Sequence, residues 1–279
     1  MGRLEGKIAM VTGAGGEHGL GRAIARRFAD EGADLVLVDV APTGLRVAAM
    51  PPTGWRGIDA VAEEIRKVGR RALTAIADVR SAPQIATVVT RALQEFGRID
   101  VLVNNAGAPG NLDRTLVVDL TEDAWDTVID TNLKGTFVVS QAVARTMLDR
   151  GIRGRIINMS SQWGKKGGAR RAAYCASKFG IIGFTQSLAQ ELASSGITVN
   201  AICPSAVETE RLDHMGLRAD GTFDAKQREE RIKQTGVATP VGRIAKPADV
   251  AEVAAFLAGD AAEYITGQSI NVTGGGVMH

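Results

Sequence analysis

The chain has few of the residues that staple, ligate or anchor. Its 279 residues include only two cysteines, Cys175 and Cys203. Neither has a second Cys or a His at metal-ligand spacing, so the sequence argues against a zinc site and against a disulfide framework. Two thiols and no export signal fit a reducing, cytoplasmic setting. The start, Met1 to Lys7, runs directly into an apolar strand-like stretch and shows no signal-peptide core. No apolar run approaches the ~18 residues of a membrane span. Charge of one sign is also missing: the formal net charge is +2, too small to argue for nucleic acid or a membrane surface as partner. No internal repeat and no linker divides the chain, so a single domain over 1–279 is expected.

What is present is a rhythm. Short apolar runs at Ile8–Val11, Leu35–Val38, Ala72–Ile76, Val101–Val103, Ile156–Met159, Ile197–Ile202 and Ser269–Val272 alternate with helix-period segments. Several runs are unbroken rather than alternating, as in strands buried on both faces of a parallel sheet. Glycines follow the helix candidates at Gly32, Gly69, Gly97, Gly151, Gly196 and Gly259, where a left-handed cap is expected. Pro247 suits the first turn of a helix reaching Leu257. The β-α order implies one open, doubly wound α/β domain of about seven parallel strands flanked by helices. Two segments interrupt it. Residues 41–57 carry Pro42, Gly44, Pro51, Pro52, Gly54 and Gly57 and read as an enlarged loop. Residues 205–239 are polar and charged and read as a lid over a binding site.

The first run ends in Thr12-Gly13-Ala14-Gly15-Gly16-Glu17-His18-Gly19-Leu20-Gly21, and a helix-period segment follows. Glycines between a strand and a helix let the backbone approach a pyrophosphate, and the helix N-terminus supplies N–H donors. Asp39, about twenty residues beyond the turn, closes the next strand and is placed to accept from the adenosine ribose hydroxyls of NAD while repelling a 2′-phosphate. His18 and Arg22 are positive groups that would favour NADP, and Asp39 outweighs them. A preference for NAD over NADP is therefore expected.

Tyr174 and Lys178 stand four residues apart, one helical turn, and Ser161 lies upstream. A free phenol titrates near pH ~10. A cation beside it favours the phenolate and brings it toward working pH, which suits a general acid/base. A nearby Ser hydroxyl can hydrogen-bond the reacting oxygen. Any Y-x-x-x-K pair can also arise by chance on a helix, so the pair gains weight only from its company.

That company resembles the classical short-chain dehydrogenase/reductase family over nearly the whole chain. The matching pieces are the glycine turn, Asp78-Val79, Asn104-Asn105-Ala106-Gly107, Asn132 in Thr131-Asn132-Leu133-Lys134-Gly135, Ser160-Ser161, Tyr174 to Lys178, and Pro204-Ser205-Ala206-Val207-Glu208-Thr209. The resemblance implies a Rossmann-type fold and hydride transfer between a nicotinamide dinucleotide and a secondary alcohol or ketone. It implies Tyr174 as general acid/base, Lys178 lowering its pKa and holding the nicotinamide ribose, Ser161 on the substrate oxygen, and Asn132 supporting a proton relay behind Lys178. Ser160 is the weaker alternative to Ser161.

For the dinucleotide the resemblance implies Gly13, Gly15, Gly19, Leu20 and Gly21 at the pyrophosphate, Asp39 and Val40 at the ribose, and Asp78 and Val79 at the adenine. Asn105, Ala106 and Gly107 would line the cofactor, and Pro204, Val207 and Thr209 would meet the nicotinamide end. The turn is two residues longer than usual for the family, so which of its glycines face the pyrophosphate is left open. Gln162 and Trp163 join Ser161 and Tyr174 as substrate-facing candidates. Lys165, Lys166, Arg170, Arg171, Arg211, His214 and Arg218 are read either as a solvated or interfacial charge face or as an attraction for an anionic substrate group. No metal is expected. The family is usually a homodimer or homotetramer. Two rival functions stay open: an NADPH-dependent 3-oxoacyl-carrier-protein reductase, and a catalytically silent dinucleotide-sensing protein.

Overall fold

Each of the seven apolar runs forms a strand in the computed structural model, which describes residues 2–43, 54–110, 112–218 and 220–279. The strands are β1 Ile8–Thr12, β2 Asp34–Asp39, β3 Ala72–Ile76, β4 Val101–Asn104, β5 Arg155–Met159, β6 Thr198–Pro204 and β7 Ser269–Val272. They lie side by side in the order β3-β2-β1-β4-β5-β6-β7, and every pair is parallel. The chain therefore winds outward from β1 in one direction and from β4 in the other. Beside β1 the strand order reverses, and in such sheets the crevice beyond the C-terminal strand ends at that reversal is where ligands bind.

Alternation along the strands divides the core into two layers. Ala9 and Val11 of β1, with Leu35 and Leu37 of β2, face one layer. Helices α1 (Leu20–Asp30), α2 (Ile58–Lys67) and, near the chain end, Pro247–Ala258 cover it through Ile24, Phe28, Val61, Ile65, Val250 and Ala254. Met10, Val36 and Val38 face the other layer. It is covered by α3 (Ala82–Phe96), by Gly135–Asp149 and by Ala172–Leu192, through Ile85, Val89, Val143, Met147, Ala189 and Leu192. Side chains two apart on a strand share a face, so unbroken apolar runs are what a sheet covered on both sides requires. In chain order after α3, the helices are α4 (Glu122–Ile129), α5 (Gly135–Asp149), α6 (Ala172–Leu192), α7 (Ala225–Val237) and α8 (Pro247–Ala258).

Helix ends follow the glycine expectation at five of six places. Gly32, Gly69, Gly97, Gly151 and Gly196 all have positive φ. Gly259 does not: its φ is −83° and ψ 168°, extended backbone from which a short 3-10 turn, Asp260–Ala262, begins. The immediate restart replaces a left-handed cap there. The 205–239 segment holds a 3-10 turn at Glu210–Gly216 and then α7. Most of the 41–57 loop lies outside the described residues. Its ends meet where Ile58 N–H donates to the Pro42 carbonyl at 2.7 Å. Among the described residues no helix is long and apolar enough to cross a membrane.

Candidate active site

The glycine turn is built by close backbone packing. Gly13 has φ +67°, and a Cβ there would come within 2.9 Å of Ala106 Cα. A Cβ on Gly21 would lie 2.2 Å from the Gly13 carbonyl oxygen. Both glycines are thus consumed in folding the turn onto α1 and onto the loop after β4. Asn105 closes the same seam. Its Nδ2 donates to the carbonyls of Thr12 (2.9 Å) and Gly13 (3.0 Å), while Thr12 Oγ1 accepts from the backbone N–H groups of Asn105 and Ala106 at 3.0 and 3.1 Å. The Asn105 side chain is committed to this seam, so the lining expected of it falls to its backbone and to Ala106 and Gly107.

Of the other glycines, Gly15 is buried, whereas Gly16 and Gly19 are partly exposed. Gly15 N–H donates to Asp39 Oδ2 at 2.8 Å, and Val40 N–H donates to Oδ1 at 2.8 Å. Burial pushes the Asp39 carboxyl upward in pKa, against these backbone bonds. Trp55, returning from the 41–57 loop, donates its indole N–H to the Gly15 carbonyl at 2.8 Å and lies under the Arg22 guanidinium at 4.7 Å. Arg22 itself pairs with Glu64. At the start of α1, His18 N–H donates to the carboxylate of Glu210, which reaches across from the 205–239 segment. A Cβ on Gly16 would lie 3.5 Å from both Glu210 oxygens. This carboxylate is a stand-in anion at the helix N-terminus, and it shows that the turn accepts negative charge where a pyrophosphate is expected. The turn and Asp39 therefore fit a dinucleotide.

The remaining cofactor candidates occupy the C-terminal strand ends. Asp78 and the buried Val79 follow β3. The Asp78 carboxylate is gripped by Arg80 at 2.7 Å, and Val79 packs where a Cβ on Gly135 would come within 2.7 Å. Pro204 ends β6, and Val207 bridges to Ala245. Thr209 is buried and donates its hydroxyl to the Val207 carbonyl at 3.4 Å. Leu20 opens α1, and Val40 is exposed just past β2.

Across the β1–β4 crevice stand the candidate catalytic side chains. Lys178 is buried in α6, and its Nζ donates to the Met159 carbonyl at 2.7 Å while lying 5.7 Å from the centre of the Tyr174 ring. Burial, reinforced by the Arg211 charge, brings its ammonium down to about 7. Tyr174 sits one turn earlier on α6, packed on Ala108, Val128 and Ala173. Its backbone N–H donates to Asp113 Oδ2 at 2.8 Å. That bond satisfies one of the orphan donors in the first turn of α6. Ser161 is buried at the end of β5, and its Oγ accepts from Trp163 N–H at 3.2 Å. Ser160, its neighbour, donates its hydroxyl to the Lys178 carbonyl at 2.8 Å and is spent there. Gln162 and Trp163 form the short turn after Ser161, both half-buried.

Asn132 lies at the centre of a π-helical turn, Asp130–Lys134, between α4 and α5. Such turns recur at functional sites because they re-aim a backbone group. Its Oδ1 accepts from Ala108 N–H at 2.9 Å, and its Nδ2 donates to Ser177 Oγ at 3.0 Å. Ser177 Oγ in turn donates to the Tyr174 carbonyl at 2.8 Å. Asn132 thereby ties the loop after β4 to the Tyr174 turn of α6.

Of the seven cations singled out in the sequence, the fold separates some and gathers others. Lys165 Nζ bonds the Ser269 carbonyl, and Arg218 pairs with Asp224. Arg171 and Lys166 lie over the Trp163 ring at 4.9 and 5.4 Å, and Arg211 lies over Tyr174 at 5.9 Å. Sequence reasoning missed three participants: Asp113, Arg114 and Glu210. No local pattern marks them, because each reaches the site from a loop that only the strand order brings there. Among the described residues no group of His, Cys, Asp or Glu is arranged to hold a metal. Cys175 and Cys203 are both buried and free.

An all-parallel sheet with a glycine turn at its reversal, facing a Tyr–Lys pair across the crevice, defines a dinucleotide-dependent oxidoreductase type of site. The comparisons with known proteins make the assignment specific. Residues 13–276 match the family described as Enoyl-(Acyl carrier protein) reductase. A ketoacyl reductase of Streptomyces coelicolor is 38% identical over 277 residues, covering 99% of this chain and 98% of that protein. Sorbitol dehydrogenase of Cereibacter sphaeroides is 36% identical, covering 99% of each chain. The crystal structure of carveol dehydrogenase from Mycobacterium avium, in complex with NAD, superposes with a TM-score of 0.87 at 31% identity and 99% coverage of both chains. The chain belongs to the short-chain dehydrogenase/reductase family and is an oxidoreductase of that type.

Proposed function

We propose that the protein interconverts a secondary alcohol and a ketone with NAD(H), Tyr174 acting as general acid/base. The observation that carries the reading is the convergence of Tyr174, Lys178, Ser161 and Asn132 at the strand ends facing the glycine turn and Asp39. The nicotinamide, when bound, supplies or accepts the hydride at the carbinol carbon. Tyr174 takes the hydroxyl proton in oxidation and returns it in reduction. Ser161 holds the substrate oxygen with its hydroxyl, and its Oγ is already oriented by Trp163 N–H. Lys178 places a cation one turn from the phenol and favours its ionised form. Asn132 acts through Ala108 and Ser177, fixing the loop and helix on which the site stands.

Asp39 supports NAD rather than NADP: a carboxylate already bonded to Gly15 at the end of β2 repels a ribose phosphate. Of the groups that would favour NADP, Arg22 is held in an ion pair with Glu64. In this reading Gly13 and Gly21 shape the turn, while Gly15, Gly19, Leu20, Asp39, Val40, Asp78, Val79, the Asn105 backbone, Ala106, Gly107, Pro204, Val207 and Thr209 line the dinucleotide. Residues 205–239 form the lid. Exposed Phe137 on α5 and Phe179 on α6 suit burial between subunits, as a homodimer or homotetramer would give. Similarity to a ketoacyl reductase keeps a second reading, NADPH-dependent reduction of 3-oxoacyl thioesters, and Asp39 is the feature that disfavours it.

The deciding experiment is absorbance at the reduced-nicotinamide band with NAD and with NADP, across a panel of alcohols and ketones, for the native protein and Tyr174→Phe. Turnover with NAD that falls about 100-fold or more in the variant is expected. Near-native turnover in the variant would sink the role of Tyr174.

A further inference from the structure

Beside Tyr174 the fold gathers three guanidinium groups, none of which is in an ion pair among the described residues. Arg114 comes from the loop after β4, Arg171 stands at the N-terminus of α6, and Arg211 comes from the 205–239 segment. Arg211 reaches between Tyr174 and Gly107: its Cζ is 5.9 Å from the Tyr174 ring centre, and a Cβ on Gly107 would lie 3.3 Å from its Nη1. Arg171 lies 4.9 Å above the Trp163 ring centre. Arg114 donates Nε–H to the Gly110 carbonyl at 2.8 Å, which aims the guanidinium without discharging it. Among the described residues none of the three pairs with a carboxylate.

That is unlike arginines nearby in the fold. Arg22 pairs with Glu64, Arg80 with Asp78, Arg218 with Asp224 and Arg228 with Asp213. The nearby acids offset the cluster only in part: the Asp113 charge favours Arg114 but is outweighed by burial and by Arg171, and the others are engaged elsewhere. Asp113 accepts from Tyr174 N–H, Glu210 accepts from His18 N–H, and Asp213 holds Arg228. The fourth member, His214, bonds the Arg211 carbonyl through Nδ1 at 2.6 Å. Burial and the surrounding Arg114, Arg171 and Arg211 charges push that imidazole down to about 4, and burial with Arg171 and Arg211 pushes Arg114 down as well. Arg114 and Arg171 are half-buried and Arg211 is exposed, and like charges gathered in this way destabilise the free protein unless an anion joins them. A guanidinium fork matches a planar or tetrahedral oxyanion. Arg170, the one described non-glycine residue with positive φ (57°), immediately precedes Arg171 and fixes how the chain enters α6.

We propose that Arg114, Arg171 and Arg211 bind an oxyanion on the substrate, so that the alcohol or ketone presented to Tyr174 is carried by a carboxylate, sulfonate or phosphate. The proposal rests on Tyr174 marking the reacting centre. Trp163, with Arg171 and Lys166 over its ring, holds the Arg171 guanidinium in place by a cation–π contact.

The test uses one 2-hydroxypropyl group carried on different ends: 3-hydroxybutanoate, 2-hydroxypropane-1-sulfonate and 2-hydroxypropyl phosphate, against methyl 3-hydroxybutanoate and 2-butanol. With NAD, at least one anion is expected to exceed both neutral compounds in kcat/KM by 100-fold or more, and the arm that does so names the oxyanion. Arg171→Gln and Arg114→Gln should each collapse that ratio toward one, and Arg171→Lys should restore only part of it. Neutral compounds turned over as well as every anion, or an unchanged ratio in Arg171→Gln, would overturn the proposal. Binding is read separately in Tyr174→Phe with NADH bound, by fluorescence titration with acetoacetate and with methyl acetoacetate. Tighter binding of the acid, lost in Arg171→Gln, supports the anion site even if no compound in the panel is oxidised, in which case the proposed reaction fails and the site stands. Equal binding of acid and ester, or binding of neither, together with no kcat/KM preference for the sulfonate or the phosphate, overturns it.

Discussion

Lys178 Nζ lies 5.7 Å from the centre of the Tyr174 ring and donates to the Met159 carbonyl, 2.7 Å away. The ammonium is buried, and that one carbonyl is its hydrogen-bond partner among the described residues. Burial of an ammonium opposes its charge, and here the Arg211 guanidinium adds to the opposition, which places Lys178 at about 7. The cofactor-free fold therefore holds this group in a state that small changes in the crevice can tip.

A pH dependence follows. The folded pKa, about 7, is below the unfolded value near ~10.4. Between those values the unfolded chain binds the extra proton, so stability rises with pH over that interval. Below about 7 both states are protonated and the full penalty is present. Urea midpoints of the cofactor-free protein measured from pH 6.5 to 9.5 should increase more steeply for the native chain than for Lys178→Met. Parallel curves would show that Lys178 is not the group responsible. The same variant should lose most turnover, since the cation beside Tyr174 is gone.

The strands and the turn were legible in the sequence because buried parallel strands leave unbroken apolar runs, as at Leu35–Val38, and because Gly13 and Gly21 meet backbone at distances no Cβ allows. The Tyr174–Lys178 pair was legible because one helix carries both. Gly259 misled, since a glycine after a helix signals a left-handed cap only when the chain does not restart at once. Arg114 and Asp113 were not legible. They lie on the loop after β4, and only the adjacency of β4 and β5 carries that loop to the start of α6. The bonds of the Asn105 amide to the Thr12 and Gly13 carbonyls were not legible either, because those partners lie far away in the sequence.

Asp39→Asn separates cofactor choice from folding. Its carboxylate accepts from Gly15 and Val40 N–H groups at 2.8 Å each, and an amide oxygen can keep one of these bonds. Loss of the charged acceptor for ribose hydroxyls is worth roughly 1.5–3 kcal/mol, so NAD affinity should fall by about 10- to 150-fold. NADP affinity should fall less or rise. Burial raises the folded pKa of this carboxyl, so its ionised form is a burden on the free protein above that pKa. The urea midpoint at pH 7 is accordingly expected to hold or to increase. Titration of both dinucleotides by fluorescence gives the ratio directly, and an unchanged ratio would remove Asp39 from cofactor selection.

Glu210 places a carboxylate on the His18 N–H, at the helix terminus where the pyrophosphate is expected. Dinucleotide binding has to displace it. Removing it in Glu210→Ala should tighten NAD binding by about 10-fold, the worth of one net hydrogen bond of about 1.5 kcal/mol. The gain should appear in the dissociation constant of the binary complex, measured by calorimetry. Weaker binding in the variant would mean that Glu210 supports the bound lid instead of competing with the cofactor.

The glycines of the turn are not equivalent, and a pair of alanine variants distinguishes them. A Cβ at Gly21 would sit 2.2 Å from the Gly13 carbonyl oxygen and 2.8 Å from Asn105 Nδ2, with backbone on one side and a committed amide on the other. Relief requires α1 to move off β1, where Ile24 and Phe28 are fully buried. Overpacking of this kind costs about 1–3 kcal/mol, so Gly21→Ala should lower the urea midpoint clearly and weaken NAD binding with it. At Gly16 the nearest atoms to a Cβ are the Glu210 oxygens and Gly19 Cα, all 3.5 Å away, which is ordinary contact. Gly16→Ala should therefore leave stability within about 0.5 kcal/mol of native. Any loss of NAD affinity in that variant then reports the approach of the pyrophosphate to the turn, because the fold is undisturbed. Equal destabilisation of the two variants would contradict the division between glycines that build the turn and glycines that face the ligand.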